Sequence, residues 1–192
     1  MPTPSLTDFL SSLAAELCGA LSLYSSLLTE QCEGCITDIS ECNRRASSLA
    51  ADAHAYLFTE FCPPLARAPA ALACERMHAV VASVFGASML FSHERHPNVR
   101  LSTEVQSLGR IGGLIRREID RLPHLIKGKK LTAPDTYAYY TELTRARAAH
   151  ALFLSHGDRS SDERLMLDGL SAVTLALGDA YAAVICLLME NI

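Results

Sequence analysis

The sequence predicts an all-α, up-and-down bundle of six long helices, on three observations: apolar residues recur at three- and four-residue spacing in six blocks, Pro falls at the edges of those blocks, and period-two alternation is convincing nowhere. Composition agrees, with 49% hydrophobic residues dominated by Ala and Leu and no Trp. A chain of 192 residues can bury a core without stapling.

Leu6, Phe9, Leu13, Leu17, Leu21, Tyr24 and Leu28 form the first stripe, with Ser5 or Thr7 as cap. A second, Ile36, Ile39, Ala46, Leu49, Ala53, Leu57 and Phe61, runs to Pro63 and Pro64, which remove two donors and forbid continuation. The third helix opens at Ala68 to Pro69 and turns Met77, Val80, Val81, Val84, Phe85 and Met89 inward as far as His96 and Pro97. The fourth shows Leu101, Val105, Leu108, Ile111, Ile115, Ile119 and Leu122. Gly112 and Gly113 weaken its middle by roughly 1 kcal/mol each relative to Ala, so a bend or a close helix contact is expected there, and Pro123 ends or kinks it.

After the polar stretch Lys127 to Ala133, Pro134 leads into a fifth helix with Tyr139, Leu143, Ala146, His150 and Phe153 inward and Gly157 as stop. The sixth opens at Ser161 or Asp162 and carries Leu165, Leu170, Val173, Leu177, Val184 and Leu188. It is apolar enough to raise the question of a membrane span, but Asp168 and Asp179 interrupt it, and a buried bundle helix is expected. The order of helices and loops suggests one domain, 1–192, with a pseudo-repeat of two three-helix units, 1–97 and 98–192.

The formal charge of −4 conceals a basic stretch, Arg110 to Lys130, with seven Lys or Arg against Glu118 and Asp120. An acidic chain is a poor non-specific nucleic-acid binder, but Arg116, Arg117, Arg121, Lys127, Lys129 and Lys130 are candidates for meeting an acidic partner or an anionic membrane face, if they are not simply a solvated helix face. Seven Cys without framework spacing and a start lacking a basic n-region point to a reducing cytoplasm. Cys32, Cys35 and Cys42 could offer thiolates to zinc, although scattered helical Cys is more often apolar filling.

Glu75 and His78 have the i, i+3 spacing of di-iron ligands, yet no second Glu-x-x-His occurs. His150 on an apolar line reads as a satisfied core histidine before a ligand. No Ser, His and Asp grouping carries a local nucleophile signature, and Gly109, Gly112 and Gly113 lack the strand and Lys of a phosphate loop, so no catalysis is expected.

The run ISECNRRASSLAADAHAYLFTEFCPPLARAPAALACERMHAVV, with Phe61, Pro64 and Leu65 in a Phe-x-x-Pro-Leu hinge, resembles the PhoU-like family, in particular its shorter members associated with Pit-type phosphate transporters. The resemblance implies two tandem three-helix bundles and a non-enzymatic regulator of phosphate transport. It would act by protein–protein contact at a transporter's cytoplasmic face, cytoplasmic or peripheral at the inner membrane. Independently of the resemblance, long amphipathic helices with small Ala-rich faces can self-associate, so a homodimer is plausible. The family binds metal through carboxylate pairs four residues apart, because such pairs face one way and hard cations prefer oxygen.

Here the frame places Asn43 and Ser47 at the first pair, His78 and Ala82 at the second, Ala138 and Glu142 at the third, while Asp179 survives beside Ala182. The motifs are degenerate. No cofactor and no multinuclear metal cluster is expected, with Glu75, His78, Glu142 and Asp179 the weak remaining candidates. The alternatives are a metal-binding bundle of ferritin-like or di-iron type, and a PhoU-like bundle reused as an adaptor unrelated to phosphate.

Overall fold

The computed structural model describes residues 4–30, 34–90, 102–154 and 161–191. They form α1 (Leu6–Glu30), α2 (Gly34–Thr59), α3 (Arg67–Met89), α4 (Ser102–Ile119), the short α5 (Leu122–Ile126), α6 (Thr136–Leu154) and α7 (Ser161–Met189). The six long helices and the all-α class are those the periodicity predicts, and among the described residues there is no strand.

The first helix starts where local chemistry dictates. Ser5 Oγ accepts from the Asp8 backbone N–H at 3.3 Å and Asp8 Oδ2 accepts from the Ser5 N–H at 2.8 Å, a reciprocal cap that also holds the Asp8 carboxyl below its ordinary range. At the far boundary of α2, Pro63 and Pro64 enforce the reversal, and the Arg67 guanidinium donates to the carbonyls of Glu60 and Phe61 and so holds it.

Four helices, α1, α3, α7 and α4, surround one apolar interior; α2 lies outside against α1 and α3, and α6 lies on the opposite side against α4. Leu10, Leu17, Ile39, Met77, Val81, Ile111, Ile115, Leu170 and Leu177 are all fully enclosed. Each such side chain contributes roughly 1.5–3 kcal/mol by leaving water. The stretches Leu6–Thr29, Arg67–Met89 and Glu163–Met189 are long and apolar enough to cross a membrane by length and composition, and each belongs to one of these four helices. Asp168 and Asp179 stand on the exposed face of α7.

The close helix contact expected at the paired glycines is present at one of them. A Cβ on Gly112 would lie 2.6 Å from Leu21 Cδ1, so its absence is what lets α4 approach α1, whereas Gly113 faces open space. Three residues depart from their expected inward places. Phe61 follows the end of α2 and is 90% exposed, because the chain has already left the helical register that would carry its ring inward. Met89 sits in the last turn of α3, where Ala87 and Ser88 take the buried positions. Leu165 is 50% exposed because Met166, Leu167 and Leu170 occupy the inward face of α7, roughly 100° around the helix. The fourth helix also stops at Ile119, and Pro123 opens α5 rather than kinking α4. Leu101, His96, Pro97 and Gly157 lie outside the described residues, as does the side chain of Phe153.

Candidate functional site

Antiparallel helices α6 and α7 meet at one end, where the rings of Tyr139 and Tyr181 stack 3.9 Å apart. Gly178 makes room there, since a Cβ at that position would lie 3.2 Å from the Tyr139 hydroxyl. Beyond that clamp the two helices touch little, and a cavity of about 320 Å³ opens with α4 as its floor. Ala146 and Leu175 give it apolar wall, Arg147 and Thr174 give it polar rim, and Glu104, His150 and Ser171 converge in it.

Those three form a chain of hydrogen bonds: Ser171 Oγ lies 3.2 Å from His150 Nε2, and His150 Nδ1 lies 3.3 Å from Glu104 Oε1. Glu104 is 1% exposed, and its Oε2 has no hydrogen-bond partner among the described residues. Burial pushes its carboxyl up to about 7. Tyr24 of α1 lies near enough that the Glu104 charge adds to burial in raising the phenol. The Ser171 hydroxyl is set apart as well. Those of Thr29, Thr59, Thr141 and Thr174 bond a backbone carbonyl one turn back, as helical hydroxyls do, whereas the Ser171 hydroxyl pairs with His150 Nε2.

Serine, imidazole and carboxylate stand in the order of a nucleophile, its base and the group that orients the base. Acyl transfer also needs donors aimed at a developing oxyanion. Ser171 lies inside a continuous helix whose backbone N–H groups are spent on the preceding turn, which leaves Arg147 as the cleft's cation and no backbone oxyanion hole beside the hydroxyl. The arrangement is therefore better equipped to hold an anion than to split an ester.

Ser47 and His78 lie across the α2–α3 contact from each other and hydrogen-bond at 3.0 Å, with Asn43 one turn away on α2. Glu75 is exposed on α3. In the second half Glu142 is held by Arg145 at 2.6 Å and Arg110 at 3.3 Å, while Asp179 turns to Arg76 of α3 at 3.5 Å. Glu75, His78, Glu142 and Asp179 thus take separate partners or solvent, and among the described residues no three His, Cys, Asp or Glu side chains cluster as a metal site. Cys35 and Cys42 are buried in the core, and Cys32 lies outside the described residues.

The basic stretch divides in two. Arg117 and Arg121 both reach the buried Glu118, Arg121 also donates to the Thr132 carbonyl, and Arg116 pairs loosely with Asp120. Lys127, Lys129 and Lys130 are exposed, and among the described residues they form no ion pair.

A crystal structure of a PhoU-like protein from Shewanella oneidensis MR-1 superposes with a TM-score of 0.73 at 13% identity, covering 96% of this chain and 99% of that one. The fold is PhoU-like. A second Shewanella oneidensis MR-1 structure, provisionally assigned as a PhoU-like phosphate regulatory protein, gives 0.65 at 11% identity over the same shares. No protein-family model matches the chain, and no curated protein matches it in sequence.

Proposed function

We propose that this protein is a regulator of inorganic phosphate transport that acts by binding, docking on the cytoplasmic face of a phosphate transporter from the cytoplasm or the inner membrane surface. What supports the reading is the PhoU-like architecture along 96% of the chain, since a shared hinge alone would not require every helix to correspond. A fold carries many functions, so the docking surface has to be argued from this chain's own residues.

Both the α2–α3 turn and the α5–α6 connection lie at one end of the bundle. The Asn191 side chain at the end of α7 accepts from the Ala66 N–H in the hinge, and α6 starts where α7 finishes because the two are antiparallel. That end presents Phe58 and Phe61, 88% and 90% exposed, together with Tyr137 and the three lysines. An end that carries both exposed aromatic side chains and exposed cations suits a protein partner with an acidic, partly apolar face. Pairing of two copies through Ala-rich helix faces is compatible with this and leaves the end free.

Deleting the gene should alter phosphate uptake or the response to phosphate limitation, and the tagged protein should co-purify with a phosphate permease. Normal uptake together with no recovered permease would sink the reading. The rival, a metal-storing or di-iron bundle, predicts stoichiometric iron or zinc in protein purified without added metal; the degenerate acid pairs predict none.

A further inference from the structure

We propose that the cleft between α6 and α7 binds a small organic oxyanion, a carboxylate or phosphomonoester on a compact apolar body, held by Arg147, His150 and Ser171 and taken up together with one proton. The proposal stands apart from the phosphate-transport reading, because it concerns a different face of the molecule and no transporter.

The volume, about 320 Å³, is at the lower end of small-molecule pockets, and its walls combine Ala146 and Leu175 with a few convergent polar groups. Charge decides what enters. Among the described residues that line the cleft, the ionised groups are Glu104 from α4 and Arg147 on the helix of His150; α1 adds the Tyr24 phenol near Glu104, and α7 contributes the uncharged Ser171 and Thr174, with the exposed Asp168 one turn from Ser171. With Glu104 ionised, the charges lining the cleft balance against Arg147. Adding a proton to the Glu104–His150 pair leaves one uncompensated positive charge, which neutralises an entering carboxylate and offsets part of the charge of a phosphomonoester, about −1.5 to −2 at pH 7.

Glu104 gives this arrangement a reason. A carboxyl that is 1% exposed, with one oxygen lacking a partner, costs stability at a position where Leu would pack. Placed 3.3 Å from Nδ1, it fixes the imidazole so that Nε2 faces the cleft next to the Ser171 hydroxyl. Only a ligand on the open side of the imidazole uses that donor.

Titration calorimetry of the full chain with benzoate, phenyl phosphate and inorganic phosphate, at pH 6 and pH 8 and in two buffers of different ionisation enthalpy, tests the proposal. Benzoate or phenyl phosphate should bind saturably at millimolar concentration or below, with uptake of about one proton and roughly tenfold weaker binding at pH 8. Which of the two binds more tightly identifies the headgroup. Arg147→Gln and His150→Gln should each weaken binding at least tenfold, while Arg44→Gln, on α2 at the opposite side of the bundle, should not. Arg147 is exposed, so its variant keeps the test readable if the His150 variant fails to fold. Absence of saturable binding by both organic probes, binding unchanged in Arg147→Gln, or inorganic phosphate binding as tightly as phenyl phosphate would each overturn it.

Discussion

A carboxyl group set into an apolar helix stripe holds its proton above the usual carboxylate range, and Glu104 does so because burial denies its anion water. Its value rises from 4.5 in the ordinary state to about 7 in the fold. Between those values the native chain binds more protons than the unfolded one, so this group's contribution makes stability fall as pH rises through the window. The hydrogen bond from His150 offsets part of the cost, which leaves an effect on the order of 1–3 kcal/mol. Glu104→Gln keeps an acceptor for His150 and removes the charge. Its urea midpoint should decline less than that of the wild type between pH 5 and pH 7.5, and should exceed the wild-type midpoint at pH 8. A wild-type midpoint that rises through this interval and is unmoved by Gln would refute the assignment. The signal for this residue was present in the sequence: Glu104 lies in phase with Leu108, Ile111, Ile115 and Glu118 on one helical face. The partnership with His150 and Ser171 was not legible, because it joins positions on three helices and depends on how α6 and α7 splay.

At the scale of helices, period alone located all six long ones, since a stripe of buried Leu, Ile and Val repeats wherever a helix has an inner face. What period leaves open is rotation and the last turn, which is why Leu165 and Met89 were expected inward and lie outward. The paired glycines show the same division. A sequence reading treats Gly112 and Gly113 alike, while the structure packs the first against Leu21 and Leu17 and leaves the second open. Gly113→Ala should gain about 0.5–1 kcal/mol from helix propensity. Gly112→Ala gains the same term but drives a methyl into two buried leucines, an overpacking cost of about 1–3 kcal/mol that should leave it net destabilised by about 1 kcal/mol. Urea unfolding of the two variants beside the wild type measures the difference, and equal stabilisation of both would show that the α1–α4 seam is looser than described.

On the scale of the whole bundle, the two ends differ because of where the chain turns. The hinge after α2 and the connection after α5 bring Phe58, Phe61, Tyr137, Lys127, Lys129 and Lys130 to one end, and hydrogen bonds hold both turns. Arg67 holds the first. In the second, Gly128 adopts a positive φ of 70° while its N–H bonds the Leu125 carbonyl at 2.8 Å, a conformation most side chains avoid. The lysines are thus presented on a preformed turn rather than on a tail, and binding through them would lose little entropy. Replacing all three by Glu changes the local charge by six units. Because the side chains are exposed and make no ion pair among the described residues, the unfolding midpoint should move by no more than about 0.5 kcal/mol in stability. On the proposed reading, recovery of a phosphate permease should fall at least tenfold, and residual wild-type recovery should weaken as salt rises, as expected for contacts between exposed charges. Arg117 and Arg121 provide the contrast, since both are committed to Glu118 and their loss should appear in stability before it appears in binding. If the triple variant recovers its partner as well as the wild type does, the docking surface lies elsewhere, with the exposed Phe58 and Phe61 next in line.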